Sequence, residues 1–234
     1  MMQLKDKYHS RHKAEEYAMV SWSEFGHNNI SETFYAQISD LIRNSLSQIV
    51  NPMPNVVEIG FGAGRLIYET KMACPDAYVY GVENSSSMID ISRALLIYGD
   101  VEYICGKFIG GKALTNIFLM QGDIEAIGLQ SAVADLLVSV NVLDRVANTR
   151  QAVKELARIV KIGGRLIIAT AFDYEGYTPV SERLGLVQLE TEFLVHGVSC
   201  LGVLELEFQK HLVDGSINKY GEWVLMMQRE GIVS

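Results

Sequence analysis

The chain lacks the cysteine pattern of a disulfide framework or of a metal site. Its three cysteines, Cys74, Cys105 and Cys200, are odd in number and far apart, and no CxxC or Cys/His spacing occurs. Such cysteines are typical of ordinary thiols in a reducing compartment. The first residues have no apolar core of a signal peptide, and no apolar run reaches membrane-spanning length. We therefore expect a cytoplasmic protein without a membrane partner or a metal.

Positive charge is also scarce, because the formal net charge is −8 at pH 7. A nucleic-acid partner normally requires a basic face, so this balance argues against one. A small basic cluster lies in the terminal segment, and we interpret it as a solvated tail: Lys5, Lys7, Arg11 and Lys13. With 234 residues, 49% of them apolar and 21% charged, the chain suits one α/β domain with a small appendage.

The most informative feature that is present is the stretch Asn55–Arg65, where an apolar run carrying Glu58 meets a glycine cluster. The glycines are spaced two apart: Gly60, Gly62 and Gly64. A helix-like segment, 65–73, follows at once. A buried strand that passes through a tight glycine turn into a helix lets the backbone approach a nucleotide-like ligand closely. A glycine cluster that serves only as a tight turn is the alternative.

Two residues of this stretch argue against a dinucleotide ligand. The dinucleotide fingerprint is G-x-G-x-x-G, whose third glycine packs the helix against the strand. Here Arg65 stands at that position and Gly64 comes one residue early. Glu58, two residues before the first glycine, would repel a pyrophosphate. A ligand with a positive charge and an amino group suits this turn better.

Strand-like apolar runs alternate with helical patterns along most of the chain. An amphipathic helix is predicted over 31–50 and another over about 149–160. Further strands are predicted at 77–83, 116–123, 134–141 and 165–170. Because these strands are continuously apolar and separated by helices, they indicate a parallel, doubly wound α/β sheet.

Two other segments depart from that rhythm. The runs 203–212 and 222–228 are joined by a turn containing Asp214-Gly215, and no helix fits between them, so they predict an antiparallel hairpin. The segment 99–115 is longer than usual connections. We interpret it as a structural insertion, with a flap, a small hairpin or an oligomer contact as the alternatives.

The glycine stretch resembles motif I of the class I S-adenosylmethionine-dependent methyltransferases, (D/E)-x-G-x-G-x-G. Residues 155–166 look like the family's E-x-x-R-x-L-K-P-G-G-x-L, with Val160 for Leu and Ile162 for Pro. The resemblance covers residues 55–170 well and the two ends only by pattern. It implies a Rossmann-like three-layer αβα sandwich, with a seven-stranded, mostly parallel sheet of order 3-2-1-4-5-7-6 and an antiparallel C-terminal hairpin. It also implies S-adenosylmethionine as cofactor, with S-adenosylhomocysteine as product.

The resemblance further implies which residues contact the cofactor. The implied set is Glu58, Gly60, Gly62, Gly64, Glu83, Asn84, Met88, Asp123, Ile124 and Asn141. Glu83 would accept hydrogen bonds from both ribose hydroxyls, Asp123 from the adenine amino group, and Ile124 would pack on the ring. Three of these residues have a simpler alternative. Glu83 could be a solvated strand end, Asp123 a turn former and Met88 a core residue.

The acceptor side departs from the family pattern. Asp144 and Arg145 stand where the family often has two histidines, and the Asn/Asp-Pro-Pro-Tyr motif of nucleic-acid amino methyltransferases is absent.

The resemblance implies an N-terminal lid, 1–50, ahead of the cofactor domain, 51–234, which contains the insertion. The lid would carry two of the candidate general bases, Tyr17 and His27, whereas Asp144 would come from a strand end.

The function expected from the resemblance is methyl transfer to a small-molecule or natural-product acceptor by a monomer or homodimer. The sequence does not distinguish O-, N- and C-methylation. A non-catalytic protein that binds the adenosyl ligand, and a methyltransferase acting on protein or RNA, are the alternatives. A nicotinamide oxidoreductase is disfavoured by Arg65 and by the C-terminal hairpin.

Overall fold

A computed structural model describes residues 10–22, 31–104, 107–174, 178–211 and 217–231. The candidate base His27 and the Asp214-Gly215 turn lie outside these residues. The helices are α1 (Arg11–Trp22), α2 (Ser31–Ser47), α3 (Arg65–Ala73), α4 (Ser86–Arg93), α5 (Thr149–Ile159) and α6 (Leu186–Val195). The strands are β1 (Asn55–Ile59), β2 (Tyr78–Glu83), β3 (Val101–Ile104), β4 (Lys107–Gly110), β5 (Ile117–Gln121), β6 (Ala134–Val140), β7 (Val160–Thr170), β8 (Val198–His211) and β9 (Ile217–Arg229).

Within the described residues, seven strands form one sheet in the order β5-β2-β1-β6-β7-β9-β8. Strands β5, β2, β1, β6 and β7 are parallel, and β9 is antiparallel to both β7 and β8. With the separate β3–β4 pair left out of the numbering, this is the order 3-2-1-4-5-7-6. The predicted fold, including the C-terminal hairpin, is therefore confirmed.

Helices cover both faces of the sheet, which explains why the central strands are apolar along their whole length. On one face, Ile38 of α2 and Ile67 of α3 pack in the same cluster as Val56 of β1. On the other face, Leu156 of α5 and Phe193 of α6 belong to a second cluster. The carboxyl ends of β1, β2, β5 and β6 consequently open along one edge between these two layers.

Two elements differ from the sequence prediction. Helix α6 was not predicted, because Val187, Leu194 and Val195 are exposed and its apolar residues do not form one clean stripe. Strand β7 begins at Val160, directly after α5, rather than at residue 165. Gly163, with a φ of +79°, therefore lies within β7.

The insertion contains a small antiparallel hairpin, β3 paired with β4. The chain then returns along the π-helical turn Ala94–Tyr98 that extends α4. The amide of Lys112 donates to the carbonyl of Leu95, and that of Leu114 donates to Leu96, each at 2.8 Å. The hairpin therefore projects from the end of α4 as a two-stranded sheet of its own, separate from the main sheet.

Candidate functional site

A cavity of about 490 Å³ lies at the carboxyl ends of β1, β2, β5 and β6, and is called the large cavity below. It brings together most of the residues expected from the sequence: Tyr17, Gly60, Gly62, Glu83, Asn84, Met88, Asp123, Ile124 and Asn141. Its lining also includes residues that the sequence did not single out: Ile59, Val82, Gly122, Glu125, Val140, Val142, Arg145, Val146 and Ala147. The volume falls within the roughly 300–1,000 Å³ typical of small-molecule sites.

The glycine turn forms one wall of the large cavity. Gly60, Gly62 and Gly64 have φ values of +70°, +52° and +82°, a region that favours glycine. A Cβ on Gly60 would lie 2.3 Å from Cγ2 of Val142. The amide of Gly60 donates to the carbonyl of Val82 at 2.8 Å, which holds the turn against β2. Glycine is therefore required here both by backbone conformation and by space.

Glu83 connects the glycine turn to the start of α4. Its Oε2 accepts a hydrogen bond from the amide of Gly62 at 3.0 Å, and its Oε1 accepts one from Ser85 at 2.9 Å. Ser85 in turn caps α4, because its hydroxyl accepts from the amide of Met88. The carboxylate is thus fixed at the end of β2 with its oxygens beside the cavity.

Two residues expected in the cofactor site do not line the large cavity. Glu58 is buried on β1 and borders a second cavity of about 20 Å³ beside Tyr35. Burial, and then the nearby charge of Glu83, raises the pKa of Glu58 well above its ordinary value. Gly64 precedes α3, and a Cβ there would lie 2.5 Å from Leu96. These positions shape the turn from behind rather than face the cavity.

Helix α1 lies across the glycine turn. The indole Nε1 of Trp22 donates to the carbonyl of Ala63 at 2.8 Å, and Nη1 of Arg65 donates to the carbonyl of Ser21 at 3.0 Å. Tyr17 lines both cavities, and its Cε1 lies 3.2 Å from where a Cβ on Gly62 would stand. Arg65, which departs from the dinucleotide fingerprint, therefore holds α1 over the turn.

The loop after β5 forms the opposite rim. Oδ1 of Asp123 accepts from the amide of Glu125 at 3.0 Å, and Ile124 beside it is buried. Oε1 of Glu125 accepts from the amides of Ala147 and Asn148, at 2.8 and 3.0 Å. Glu125 therefore joins this loop to the start of α5. This bridge was not predicted from the sequence, since an acidic loop residue is ordinarily solvated.

At the end of β6 the chain turns through Asn141, whose φ is +57°. A short 3₁₀ turn, Leu143–Arg145, follows and buries Asp144. Asp144 does not line the large cavity, although its neighbour Arg145 does. Glu222 of β9, which the sequence did not identify, is also buried. Burial raises its pKa to about 8, and a hydrogen bond from Asn141 partly offsets this rise.

The cavity, the glycine turn and the sheet order together define the class I S-adenosylmethionine-dependent methyltransferase fold. Residues 57–168, just under half of the chain, match the family model described as "Methyltransferase domain". This stretch belongs to that family. Among the described residues no helix is long and apolar enough to cross a membrane, and no group of three or more His, Cys, Asp or Glu is placed to hold a metal ion.

The chain is 25% identical over 121 residues to an arsenite methyltransferase of Mus musculus, a match covering 50% of this chain and 30% of that protein. The structure is similar to the CurJ carbon methyltransferase, with a TM-score of 0.65 and 13% identity over 97% of this chain and 66% of that one. It is also similar to the cyclase SpnF, with a TM-score of 0.60 and 13% identity over 83% and 80% of the two chains. Since one of these is a cyclase, the shared fold does not specify one reaction.

Proposed function

We propose that this protein transfers a methyl group from S-adenosylmethionine to a small-molecule acceptor. The observation that carries the proposal is the position of Glu83, whose carboxylate is held beside the glycine turn in the large cavity. A carboxylate can accept several hydrogen bonds, so ribose hydroxyls can be bound in addition to the two backbone amides. Asp123 and Ile124 lie across the same cavity, where an adenine ring would reach.

The residues around the cavity suit an adenosyl ligand for a steric reason as well. The glycine turn forms a cradle that side chains would fill, as the Cβ positions at Gly60 and Gly62 show. Tyr17 on α1 lines the cavity beside this cradle. When bound, S-adenosylmethionine supplies a methyl group already activated on a sulfonium. The task left to the protein is mainly to hold acceptor and donor in line and to exclude water.

Two features support a small acceptor rather than a macromolecule. Helix α1 lies over the glycine turn beside the large cavity. Trp22 of α1 donates to the turn, and Arg65 of α3 donates to the carbonyl of Ser21 on α1. The net charge of −8 disfavours a nucleic-acid surface. Asp144 does not reach the cavity, and Tyr17 lines it, so of these two candidate bases Tyr17 is the better placed.

The proposal is tested by label transfer. The protein is incubated with methyl-labelled S-adenosylmethionine and separately with the low-molecular-weight, protein and RNA fractions of a cell extract. We expect label in the low-molecular-weight fraction and none with a Glu83→Ala variant. Label confined to protein or RNA would overturn the small-molecule acceptor, whereas no transfer to any fraction would favour a protein that binds the adenosyl ligand without catalysis.

A further inference from the structure

Behind the wall that Asn141 forms at one end of the large cavity lies a group of buried acidic side chains. Asp144 and Glu222 are each only 1% exposed. Asp173 adds a third carboxylate close enough to raise the pKa values of both. Arg145 faces them, since its Nε lies 3.6 Å from Oδ1 of Asp144. The proposed cofactor contacts do not use this group.

The group contains an unusual number of buried oxygens without hydrogen bonds. No described residue donates a hydrogen bond of standard geometry to either carboxylate oxygen of Asp144, to Oε2 of Glu222 or to Oδ1 of Asn141. Buried polar atoms are almost always paired, and leaving one unpaired costs about 1–3 kcal/mol. All four atoms can accept hydrogen bonds, but they have almost no accessible surface. A ligand at the Asn141 wall would therefore meet the charge of the group rather than bond to these atoms.

The electrostatics of the group indicate the charge of that ligand. Burial raises the pKa of Asp144 to about 6, although Arg145 and nearby backbone amides lower it. Burial raises the pKa of Glu222 to about 8, with Asn141 and Arg145 lowering it and Asp144 and Asp173 raising it. Among the described residues, the carboxyls of this group outnumber its cation, Arg145, so the group favours a cationic ligand over a carboxylate or a phosphate. A metal ion is not the occupant indicated, since no cluster with metal-binding placement occurs among the described residues.

We propose that the acceptor is a small primary or secondary amine, whose nitrogen is held at Asn141 in front of Asp144 and Glu222. The inference rests on the proposed function and assigns its substrate class. Asn141 lines the large cavity, so it is the residue of this group that contacts the amine. Asp144 is a positioning residue that acts through its negative charge, and Glu222 adds to that charge above about pH 8.

The chemistry is consistent with this placement. The ammonium first loses one proton to solvent water. The nitrogen lone pair then forms the N–C bond while the C–S bond breaks. The electron pair of the C–S bond remains on the sulfur, which becomes neutral. The positive charge moves from sulfur to nitrogen, which ends as a methylated ammonium. The buried carboxylate of Asp144, near the point where this charge develops, would stabilise the transition state.

The test uses methyl-labelled S-adenosylmethionine with a panel of amines, alcohols, thiols and carboxylic acids that share carbon skeletons. We expect label on amines alone. Label on oxygen, sulfur, carbon or carboxylate acceptors, or on none of the panel, would overturn the amine assignment. Binding of S-adenosylmethionine is measured in parallel, because its loss would count against the proposed function instead.

Two variants separate acceptor binding from cofactor binding. At neutral pH, Asp144→Asn is expected to raise the KM for the amine roughly tenfold, as loss of a nearby charge would, with cofactor affinity unchanged. Glu222→Gln should have this effect only above about pH 8, where the wild-type carboxyl is ionised. Glu205→Gln, on the exposed face of β8, is the matched control. A loss of cofactor affinity as large as the rise in the KM for the amine would contradict the assignment. An unchanged KM in both variants would also contradict it.

Discussion

The indole of Trp22 and the carbonyl of Ala63 are joined by a hydrogen bond of 2.8 Å across 41 positions of sequence. This bond ties α1 to the glycine turn. The ring of Trp22 also packs edge-on against Tyr68 of α3, with centroids 5.7 Å apart. Tyr17 lies on the same helix, so its position in the cavity wall depends on how α1 is bound to the backbone of the glycine turn.

Trp22→Phe should weaken both the docking of α1 and the binding of S-adenosylmethionine. The variant leaves the buried carbonyl of Ala63 unpaired, at a cost of about 1–3 kcal/mol. We expect a lower midpoint of thermal unfolding and roughly tenfold weaker cofactor binding, measured by calorimetry. Trp223→Phe removes the chain's other tryptophan and is the control. Unchanged cofactor affinity in Trp22→Phe would show that α1 does not contribute to the site.

Glu83→Gln tests the carboxylate at the end of β2. One oxygen can still accept from a backbone amide, but the new NH₂ group faces the other amide donor, so one of the bonds to Gly62 and Ser85 is lost. A hydrogen bond to a charged group contributes about 1.5–3 kcal/mol, so cofactor affinity should fall at least tenfold. The measurement is a titration with S-adenosylhomocysteine. Wild-type affinity would mean that the carboxylate of Glu83 does not contribute to cofactor binding.

Gly60→Ala should destabilise the fold strongly, whereas Gly128→Ala should not. At Gly60 a Cβ meets Val142 at 2.3 Å and φ is +70°, but at Gly128 no atom lies within 4 Å of a new Cβ. A strained backbone position costs about 1–3 kcal/mol before the steric clash is counted. Urea unfolding of both variants measures the difference. Equal stability would show that the turn can relax, and the proposed cradle would then not be rigid.

Glu222 should make the protein less stable as pH rises. Its pKa is raised from 4.5 to about 8 in the folded state, mainly by burial. A raised pKa means that the folded state binds the proton more tightly, so this contribution is complete below about pH 4.5 and is lost as pH rises through 8. Thermal unfolding from pH 5 to pH 9 should show a steeper fall for the wild type than for Glu222→Gln. Parallel curves would contradict a buried, protonated Glu222.

Sequence reasoning was most successful where one segment contains its own signal. The stretch Asn55–Arg65 shows strand, turn and helix in succession, and the two C-terminal strands leave room only for a hairpin. In such segments the spacing of the apolar residues and the positions of the turn residues indicate the type and the limits of each element directly. The sheet order itself came from the family resemblance, and the structure confirms it.

The buried acidic group could not be predicted in the same way. In sequence, Asp144 follows a strand and Glu222 begins a run of apolar residues, and each is indistinguishable from an ordinary surface carboxylate. They meet because β6 and β9 flank β7, a fact of topology rather than of local pattern. Tertiary placement also explains why Glu125 was missed, since its partners at residues 147 and 148 are distant in the chain.

The central claim is that the large cavity binds an adenosyl methyl donor. Calorimetric titration of the wild-type protein with S-adenosylmethionine, S-adenosylhomocysteine and NAD tests it most directly. The account predicts saturable one-to-one binding of the first two ligands and no measurable binding of NAD. Binding of NAD alone, or of none of the three, would contradict it.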